Sequence, residues 1–351
     1  MTRLISTLLG LGLLIGPSAT AAETGAPNRE PGKRARVVIV QDPDATATFN
    51  PQPEKIPAMV QRGLTNLTGK ATLKDAWLSL VSTQDVVGLK VFSAPGPTSG
   101  TRPAVVEAVV KSLLAAGMPP KHLIVWDKHL ADLRQAGFFD LAVRYGVRVA
   151  GAAEAGYDEK AFYETALLGQ LVWGDLEFGK KGEGIGRKSY ASKLITQQIT
   201  KIISITPLLN HNFAGVSGNL LGLAMGSVDN TFRFENDADR LATAVPEILV
   251  RPLRDDRDAL SDRLVLNIVD ALICQYQGEE QTLLHYSAAL NQLRFSTDPV
   301  ALDVLSLQEI DRQRSVAKAP AVKSNLELYQ NAALLEIGVS DTNRIDVTRL
   351  P

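Results

Sequence analysis

The chain has 351 residues, of which 45% are hydrophobic and 21% charged, and its formal net charge at pH 7 is −1. This balance gives no support for nucleic-acid binding or for polybasic membrane binding, because both depend on an excess of positive charge. The single cysteine, Cys274, excludes an internal disulfide, and it excludes an iron–sulfur cluster or cysteine-ligated zinc site built by this chain alone.

The first segment has the layout of a secretory signal peptide. Arg3 precedes an apolar run from Leu4 to Ile15, and small residues precede a predicted cleavage site after Ala21. The apolar run of about 12 residues is shorter than the roughly 20 needed to span a bilayer, which favours a cleaved signal over an anchor. We therefore predict a signal peptide over residues 1–21, an exported protein (periplasmic or extracellular) and no stable membrane span after cleavage.

Residues 22–34 are rich in proline, glycine and polar residues and predict a flexible lead-in. Strand-like and helix-like stretches then alternate over residues 35–315. This alternation predicts an α/β domain with a mostly parallel sheet and helices on both faces. Residues 316–351 predict a C-terminal helical extension.

Four predicted buried strands end close to the candidate functional residues. One is predicted to end at Lys90 and another at Asp127, with a helix between them that ends at Gly117. This unit indicates a parallel pair with a right-handed crossover. Two later strands are predicted to end at Pro207 and Asp270. Cys274 follows in an apolar stretch, which predicts a buried structural residue.

The turn after the first of these strands combines Lys90 with the helix start at Thr101 and Arg102. Ligands bind at the carboxyl ends of parallel strands, and the free N–H groups of a helix start favour anions. The turn therefore predicts a site for an anion held by two cations. The alternative is a plain helix cap with solvated charges.

Asp127 and His129 follow the next strand. An Asp-x-His pair can ligate a metal ion or orient a general base. The alternative is a surface histidine at the start of a helix. In a similar way, Asp270 can present a carboxylate to the same sheet edge, whereas Asp298 before a proline is typical of a helix cap.

The stretch "NHNFAGVSGNLLG", residues 210–222, places a histidine between two asparagines and follows it with glycines. Glycine lets a ligand or another backbone approach closely. The pattern predicts a ligand-facing corner, and the alternative is close helix packing around a structural histidine. The candidate binding residues here are Asn210, His211, Asn212, Gly215, Ser217 and Gly218.

Five segments together resemble the family catalogued as domain of unknown function 362, over roughly residues 35–315. They are "VGLKVFSAPGPTSGTRPAVVEAVVKSLLAAGM", "HLIVWDKHLADLRQAGF", "ITPLLNHNFAGVSGNLLGLAMGSVDNTFRF", "LVLNIVDALICQYQG" and "STDPVALDVLSLQEID". The resemblance implies an α/β domain that is often exported and sometimes joined to iron–sulfur modules. It implies no general activity, and this chain lacks the cysteines for such a module.

Two motifs also resemble the nickel-pincer lactate racemase family more faintly. There a Thr-Arg-Pro turn, found here at positions 101–103, holds a cofactor phosphate, and a histidine precedes an Ala-Gly-x-Ser-Gly stretch, as His211 does here. The racemase carries its cofactor on the lysine of an Arg-Lys pair, where this chain has leucines at 220 and 221. Relatives in the unknown-function family also tend to have a lysine at that position, and another one two residues before the histidine, where this chain has Leu209.

These observations predict an exported protein with a strand-end cleft for a small anionic ligand. In this hypothesis His211, Asp127 and Asp270 are the candidate catalytic groups, and Lys90 and Arg102 hold the anion. The alternative is a racemase-like or metal-assisted enzyme acting on a small carboxylate or phosphate-bearing compound. The sequence leaves open whether the protein is an enzyme, which cofactor or metal it uses, and whether it has a protein partner.

Overall fold

The computed structural model describes residues 34–165, 186–252, 257–320, 322 and 326–351. The predicted signal peptide and almost all of the predicted lead-in lie outside the described residues.

The strands and helices alternate along most of the chain. The strands are β1 (Ala35–Gln41), β2 (Thr46–Ala47), β3 (Asn50–Pro51), β4 (Val87–Val91), β5 (Leu123–Asp127), β6 (Arg148–Gly151), β7 (Tyr157–Glu164), β8 (Lys188–Ser192), β9 (Lys201–His211), β10 (Gly215–Val216), β11 (Leu264–Gln275), β12 (Ser287–Ser296) and β13 (Ile345–Leu350). The helices are α1 (Ile56–Thr68), α2 (Leu73–Leu78), α3 (Gly96–Ser99), α4 (Pro103–Ala116), α5 (Leu130–Gln135), α6 (Phe139–Tyr145), α7 (Asn219–Ser227), α8 (Ala238–Val250), α9 (Leu260–Arg263), α10 (Pro299–Val316) and α11 (Glu327–Leu334).

The central sheet has the strand order β13-β1-β12-β11-β9-β4-β5-β6, and β10 pairs with β9 at one end. Along this order only β12 runs against its neighbours, β1 and β11. The predicted α/β fold with a mostly parallel sheet is therefore confirmed. The carboxyl ends of β4, β5, β9 and β11 lie at one edge of the sheet, as parallel pairing requires.

Helices cover both faces of the sheet because its strands are apolar on both sides. In β1, Val37 and Ile39 belong to the core under α7, α8, α10 and α11, whereas Val38 and Val40 belong to the core under α1, α2 and α4. This division follows the period of two along a strand, which sends successive side chains to opposite faces.

The ends of two helices confirm the sequence signals. Gly117 ends α4 in the left-handed conformation, with φ of 105°. The Asp298 side chain accepts a hydrogen bond from the Ala301 N–H at 2.9 Å and so caps α10, with Pro299 in the first turn. The prediction of Asp298 as a helix cap is therefore confirmed.

Two strands run further than predicted. β9 passes through Pro207 to His211, and β11 passes through Asp270 to Gln275. The pairing register between them shifts directly after the pair formed by Asp270 and Pro207. This irregularity accommodates a proline, which has no N–H to give to the ladder. Since β4 ends opposite Ile205, the last residues of β9 extend beyond the end of β4.

The C-terminal segment is helical only in part. It contains α11, as predicted, but it also contains β13, which pairs in parallel with β1 and forms one edge of the central sheet. Cys274 lies in β11 and is fully buried, and burial raises the pKa of its thiol to about 12. The prediction of a buried structural cysteine is therefore confirmed.

Candidate functional site

A cleft of about 630 Å³ lies at the carboxyl ends of β4 and β5, beside the projecting end of β9. Its walls come from α7, from the start of α5, and from the loops at residues 231–236 and 278–281. The lining residues with charged side chains or imidazole rings are Lys90, Asp127, Lys128, His129, Asp132, His211, Glu235, Glu279 and Glu280.

A buried ion pair forms the floor of this cleft. The Lys90 ammonium, only 1% exposed, donates hydrogen bonds to Asp127 Oδ1 at 2.7 Å and to the Val91 carbonyl at 2.6 Å. Asp127 Oδ2 accepts from the N–H and the hydroxyl of Ser93, both at 2.7 Å. Burial alone would raise the pKa of Asp127, but the charge of Lys90 and these hydrogen bonds hold it below its ordinary value. Asp127 is therefore a weak base, and the charge of Lys90 is neutralised.

The glycine at position 226 of α7 gives Lys90 its path to Asp127. A Cβ atom at Gly226 would lie 2.2 Å from Lys90 Cε, which is well inside van der Waals contact. Any larger residue would displace the lysine side chain. This part of the glycine pattern therefore serves the floor of the cleft.

Two other glycines of the same segment allow close packing away from the cleft. Gly215 has a φ of 84°, and a Cβ there would meet Leu307 at 2.5 Å. A Cβ at Gly218 would lie 2.4 Å from the carboxyl carbon of Asp303. The structure places Gly215 and Gly218 against α10, as expected from the packing alternative for these two residues.

His211 lies at the end of β9 and lines the cleft. Its Nδ1 atom accepts hydrogen bonds from the N–H of Ala214 at 3.1 Å and of Phe213 at 3.3 Å. A ring nitrogen that accepts N–H bonds carries no proton, so these contacts assign the proton of the neutral ring to Nε2. Burial lowers the pKa of His211, and the nearby charge of Glu279 only partly offsets this effect.

Carboxylates dominate the rim of the cleft. The described lining residues include five carboxylates and two lysines, and one of the lysines is the one paired with Asp127. The pKa of Glu280 is raised by desolvation and then by the negative charges of Asp132 and Glu279. Desolvation also raises the pKa of Asp132. The cleft is therefore crowded with negative charge.

Glu279 fastens one wall of the cleft to the end of β9. Its backbone N–H donates to Asn210 Oδ1 at 3.0 Å, and its carboxylate accepts from the Asn212 N–H. Its carbonyl accepts from the Gln275 side chain at 3.0 Å. Glu279 adopts the left-handed conformation with φ of 50°, which these contacts hold in place.

The predicted anion clamp at Arg102 is not part of the cleft. The Arg102 guanidinium contacts Asp270 at 3.0 Å, and the Arg102 N–H donates to the same carboxylate, also at 3.0 Å. Both side chains are buried, and together they fasten the start of α4 to β11. The Thr101 hydroxyl is likewise engaged, since it donates to the Ile205 carbonyl at 2.7 Å and accepts from the Phe92 N–H.

The structure thus separates the predicted site residues into two groups. Those that line the cleft are Lys90, Asp127, His129, His211 and Ser217. Those that do not line it are Thr101, Arg102, Asn210, Asn212, Gly215, Gly218 and Asp270. Sequence reasoning did not single out the acidic residues Asp132, Glu235, Glu279 and Glu280. The dipeptide Glu279-Glu280, directly after a buried strand, was the one signal available for them.

The leucines at 209, 220 and 221 differ in their surroundings. Leu209 and Leu220 are fully buried in the core, whereas Leu221 lines the cleft with an apolar side chain. Of these three leucines, it is therefore Leu221, at the position of the racemase family's cofactor-bearing lysine, that faces the cleft.

The described residues contain no group of three or more His, Cys, Asp or Glu side chains arranged to hold a metal ion. Nor do they contain a helix that is both long enough and apolar enough to cross a membrane.

The family assignment comes from a sequence match to the model described as domain of unknown function (DUF362), over residues 87–308. The chain belongs to the DUF362 family. The match begins at the first residue of β4 and ends within α10, so it contains every element that lines the cleft. In this DUF362 protein β1 and β13 lie outside the matched region yet pair within the same sheet.

Comparison with solved structures found a protein from Thermotoga maritima, determined by structural genomics, with a TM-score of 0.39 and 12% sequence identity. The similarity covers 77% of this DUF362 chain, and the chain spans 60% of the length of that protein. Comparison with curated proteins found no significant match.

Proposed function

We propose that this DUF362 protein binds a small polar molecule in the cleft at the ends of β4, β5 and β9. The observation that carries the proposal is the arrangement of His211, whose Nδ1 atom is occupied by backbone N–H groups. Its Nε2–H is the remaining polar group of a ring that lines the cleft, so it suits a ligand oxygen atom. We therefore assign His211 the role of a neutral hydrogen-bond donor.

The same arrangement argues against two other roles of His211. To act as a base or metal ligand through Nε2, the ring would have to carry its proton on Nδ1. That change would leave the N–H groups of Phe213 and Ala214 facing another N–H. The lowered pKa of His211 also disfavours the doubly protonated ring.

The charges of the cleft extend the sequence-based proposal of a small anionic ligand. A purely anionic molecule would meet four carboxylates besides Asp127, and the charges of Asp127 and Lys90 neutralise each other. A zwitterion, with an anionic oxygen beside an amine or quaternary ammonium group, fits these charges better. Its oxygen would meet His211, and its cationic group would meet Glu279, Glu280 and Asp132.

The enzymatic alternative concerns the same cleft. Chemistry on a small carboxylate or phosphate-bearing compound would require a base other than Asp127, whose pKa is lowered by Lys90 and Ser93. The pKa values of Glu280 and Asp132 are raised, mainly by burial, so these carboxylates are stronger bases than Asp127.

The proposal is tested by calorimetric titration with glycine betaine, free α-amino acids, acetate and phosphate. We expect the zwitterions to bind in the cleft, at the site that His211→Ala weakens, more tightly than acetate or phosphate do. His211→Ala should weaken zwitterion binding by about tenfold, the size of one hydrogen bond to a charged group. His211→Gln keeps an N–H donor and should retain more of the affinity. Because the pKa of His211 is lowered, its ring stays mostly neutral between pH 8 and 6.5. Protonation of His211 should therefore not change the ligand affinity of the wild-type protein in this range.

His122 provides a matched control, because its ring lies outside the cleft and contacts the Thr83 carbonyl. His122→Ala should leave ligand affinity unchanged. Binding of acetate or phosphate that is tighter than that of any zwitterion, and that His211→Ala weakens, would place the anion in the cleft and contradict the zwitterion. Equal affinity of the wild-type and His211→Ala proteins for every compound would contradict the proposed role of His211.

We also propose that the protein is exported to the periplasm or the extracellular space. Support comes from the segment at residues 1–21, with its single early arginine, short apolar run and small residues before Ala22. N-terminal sequencing of protein from a secreting host should find a first residue near Ala22. A membrane fraction that retains Met1 would show an anchor and contradict cleavage.

A further inference from the structure

A second depression, of about 650 Å³, lies apart from the cleft. It is formed by the last turns of α1, the residues directly after that helix, and the end of β13. Among the described residues, three cationic side chains line it, those of Arg36, Arg62 and Lys70, and no aspartate or glutamate side chain does. Even with a terminal carboxylate at Pro351, the positive charges are in excess. This basic pocket thus has the opposite charge from the cleft.

The arginines of the basic pocket differ from those surface arginines that are paired with carboxylates. Arg34, Arg144 and Arg251, for example, each contact a carboxylate within 3.1 Å. Within the described part of the chain, neither Arg36 nor Arg62 has an aspartate or glutamate in ion-pair contact. The pocket therefore holds positive charge that the acidic side chains of the described residues do not pair with.

The two arginines are also suited to an oxygen-rich anion. The Arg36 guanidinium is positioned by hydrogen bonds to Asn66 Oδ1 at 3.1 Å and to the Leu67 carbonyl at 3.4 Å. The Nε atom of Arg62 is buried and has no hydrogen-bond partner. A buried donor without an acceptor is unfavourable, so part of the hydrogen-bonding capacity of Arg62 is unused within the described part of the chain.

We propose that the basic pocket is a binding site for an oxyanion, namely a phosphate or sulfate group, separate from the ligand cleft. The guanidinium groups of Arg36 and Arg62 offer N–H donors in a planar fork that matches phosphate and sulfate oxygens, and Lys70 adds a mobile charge. The open shape of the pocket admits a group that is attached to a larger molecule as well as the free ion.

The test is calorimetric titration of the full chain with inorganic phosphate, sulfate and pyrophosphate, with chloride used to keep ionic strength constant. We expect one site for each anion. Arg62→Ala should weaken binding by about tenfold, and Arg62→Lys should restore only part of it, because lysine keeps the charge but not the fork. Lys70→Ala should have a smaller effect.

Lys111→Ala is the matched control, since Lys111 is an exposed lysine on α4 that does not line the basic pocket. It should bind all three anions as the wild-type protein does. His211→Ala should also bind them normally, which separates this site from the cleft. The proposal is overturned if none of the three anions binds, or if Lys111→Ala weakens binding as much as Arg62→Ala does.

Discussion

The Asp127→Ala variant should lose about 3–5 kcal/mol of unfolding free energy, because it leaves the ammonium group of Lys90 buried without a counter-ion. Lys90 is 1% exposed and its side chain is enclosed by Gly226, so water cannot easily take the place of the carboxylate. The loss is measured by urea unfolding at pH 7. The double variant Lys90→Met with Asp127→Leu should lose less than Asp127→Ala alone, since it removes both charges together.

An exposed ion pair provides the control for this experiment. Arg144 and Glu107 are 2.8 Å apart, but the Arg144 side chain is 49% exposed. Arg144→Ala should therefore cost less than about 1 kcal/mol. If Asp127→Ala costs no more than Arg144→Ala, the floor of the cleft is hydrated rather than dry, and Lys90 becomes available to a ligand after all.

The parts of the fold that were predictable are those with a local cause. The apolar run before Lys90 requires a strand buried on both faces, and Gly117 and Asp298 mark helix ends through their own backbone preferences. The strand at the C-terminus was missed because its residues alternate over only a few positions, and its pairing partner, β1, lies about 300 residues earlier in sequence.

The predicted strand end at Pro207 was wrong for a different reason. Proline cannot donate to a sheet ladder, so it normally marks the end of a strand. Here a shift in the register of β11 accommodates it, and such a shift depends on the partner strand rather than on the sequence around Pro207. As a result β9 reaches His211 and carries this residue out over the cleft.

The location of the site was predictable, but the state of its charges was not. Parallel strands place Lys90, Asp127 and His211 at one edge whatever their partners. Whether a cation is free depends on contacts across the fold, such as those of Lys90 with Asp127 and of Arg102 with Asp270. Both cations predicted to hold an anion are neutralised in this way.

Removal of the Asp303 carboxylate should also lower the free energy of unfolding strongly, by an amount that depends on pH. Asp303 lies on α10 and is 1% exposed. It accepts hydrogen bonds from the N–H and side-chain amide of Asn219, at 2.8 and 2.9 Å, and from the N–H of Leu220 at 2.9 Å. It thereby fastens the start of α7 to α10, with Gly218 leaving room for the carboxylate.

Burial raises the pKa of Asp303 to about 6, against the effect of its three hydrogen bonds, and the charge of Asp298 adds to the rise. Between its ordinary value of 3.8 and about 6, the folded protein holds this proton more tightly than the unfolded chain does. The contribution of Asp303 to stability therefore falls as pH increases through this window, by about 3 kcal/mol in total, and is constant above it.

The variant Asp303→Asn isolates this contribution, because asparagine does not titrate. At pH 7 Asp303→Asn should be less stable than the wild-type protein by about 1–3 kcal/mol, because its amide N–H₂ faces a backbone N–H and leaves a donor unsatisfied.

The pH dependence is read from the difference in stability between the two proteins. Other titrating groups, including His211, are shared by both proteins and cancel in this difference. Urea unfolding of both proteins at several pH values from 4 to 7.5 measures that difference. The advantage of the wild-type protein over Asp303→Asn should shrink as pH rises from 4 to 6 and then stay level. An advantage that grows with pH would instead mean that the hydrogen bonds to Asn219 and Leu220 outweigh burial and hold the pKa of Asp303 below its ordinary value.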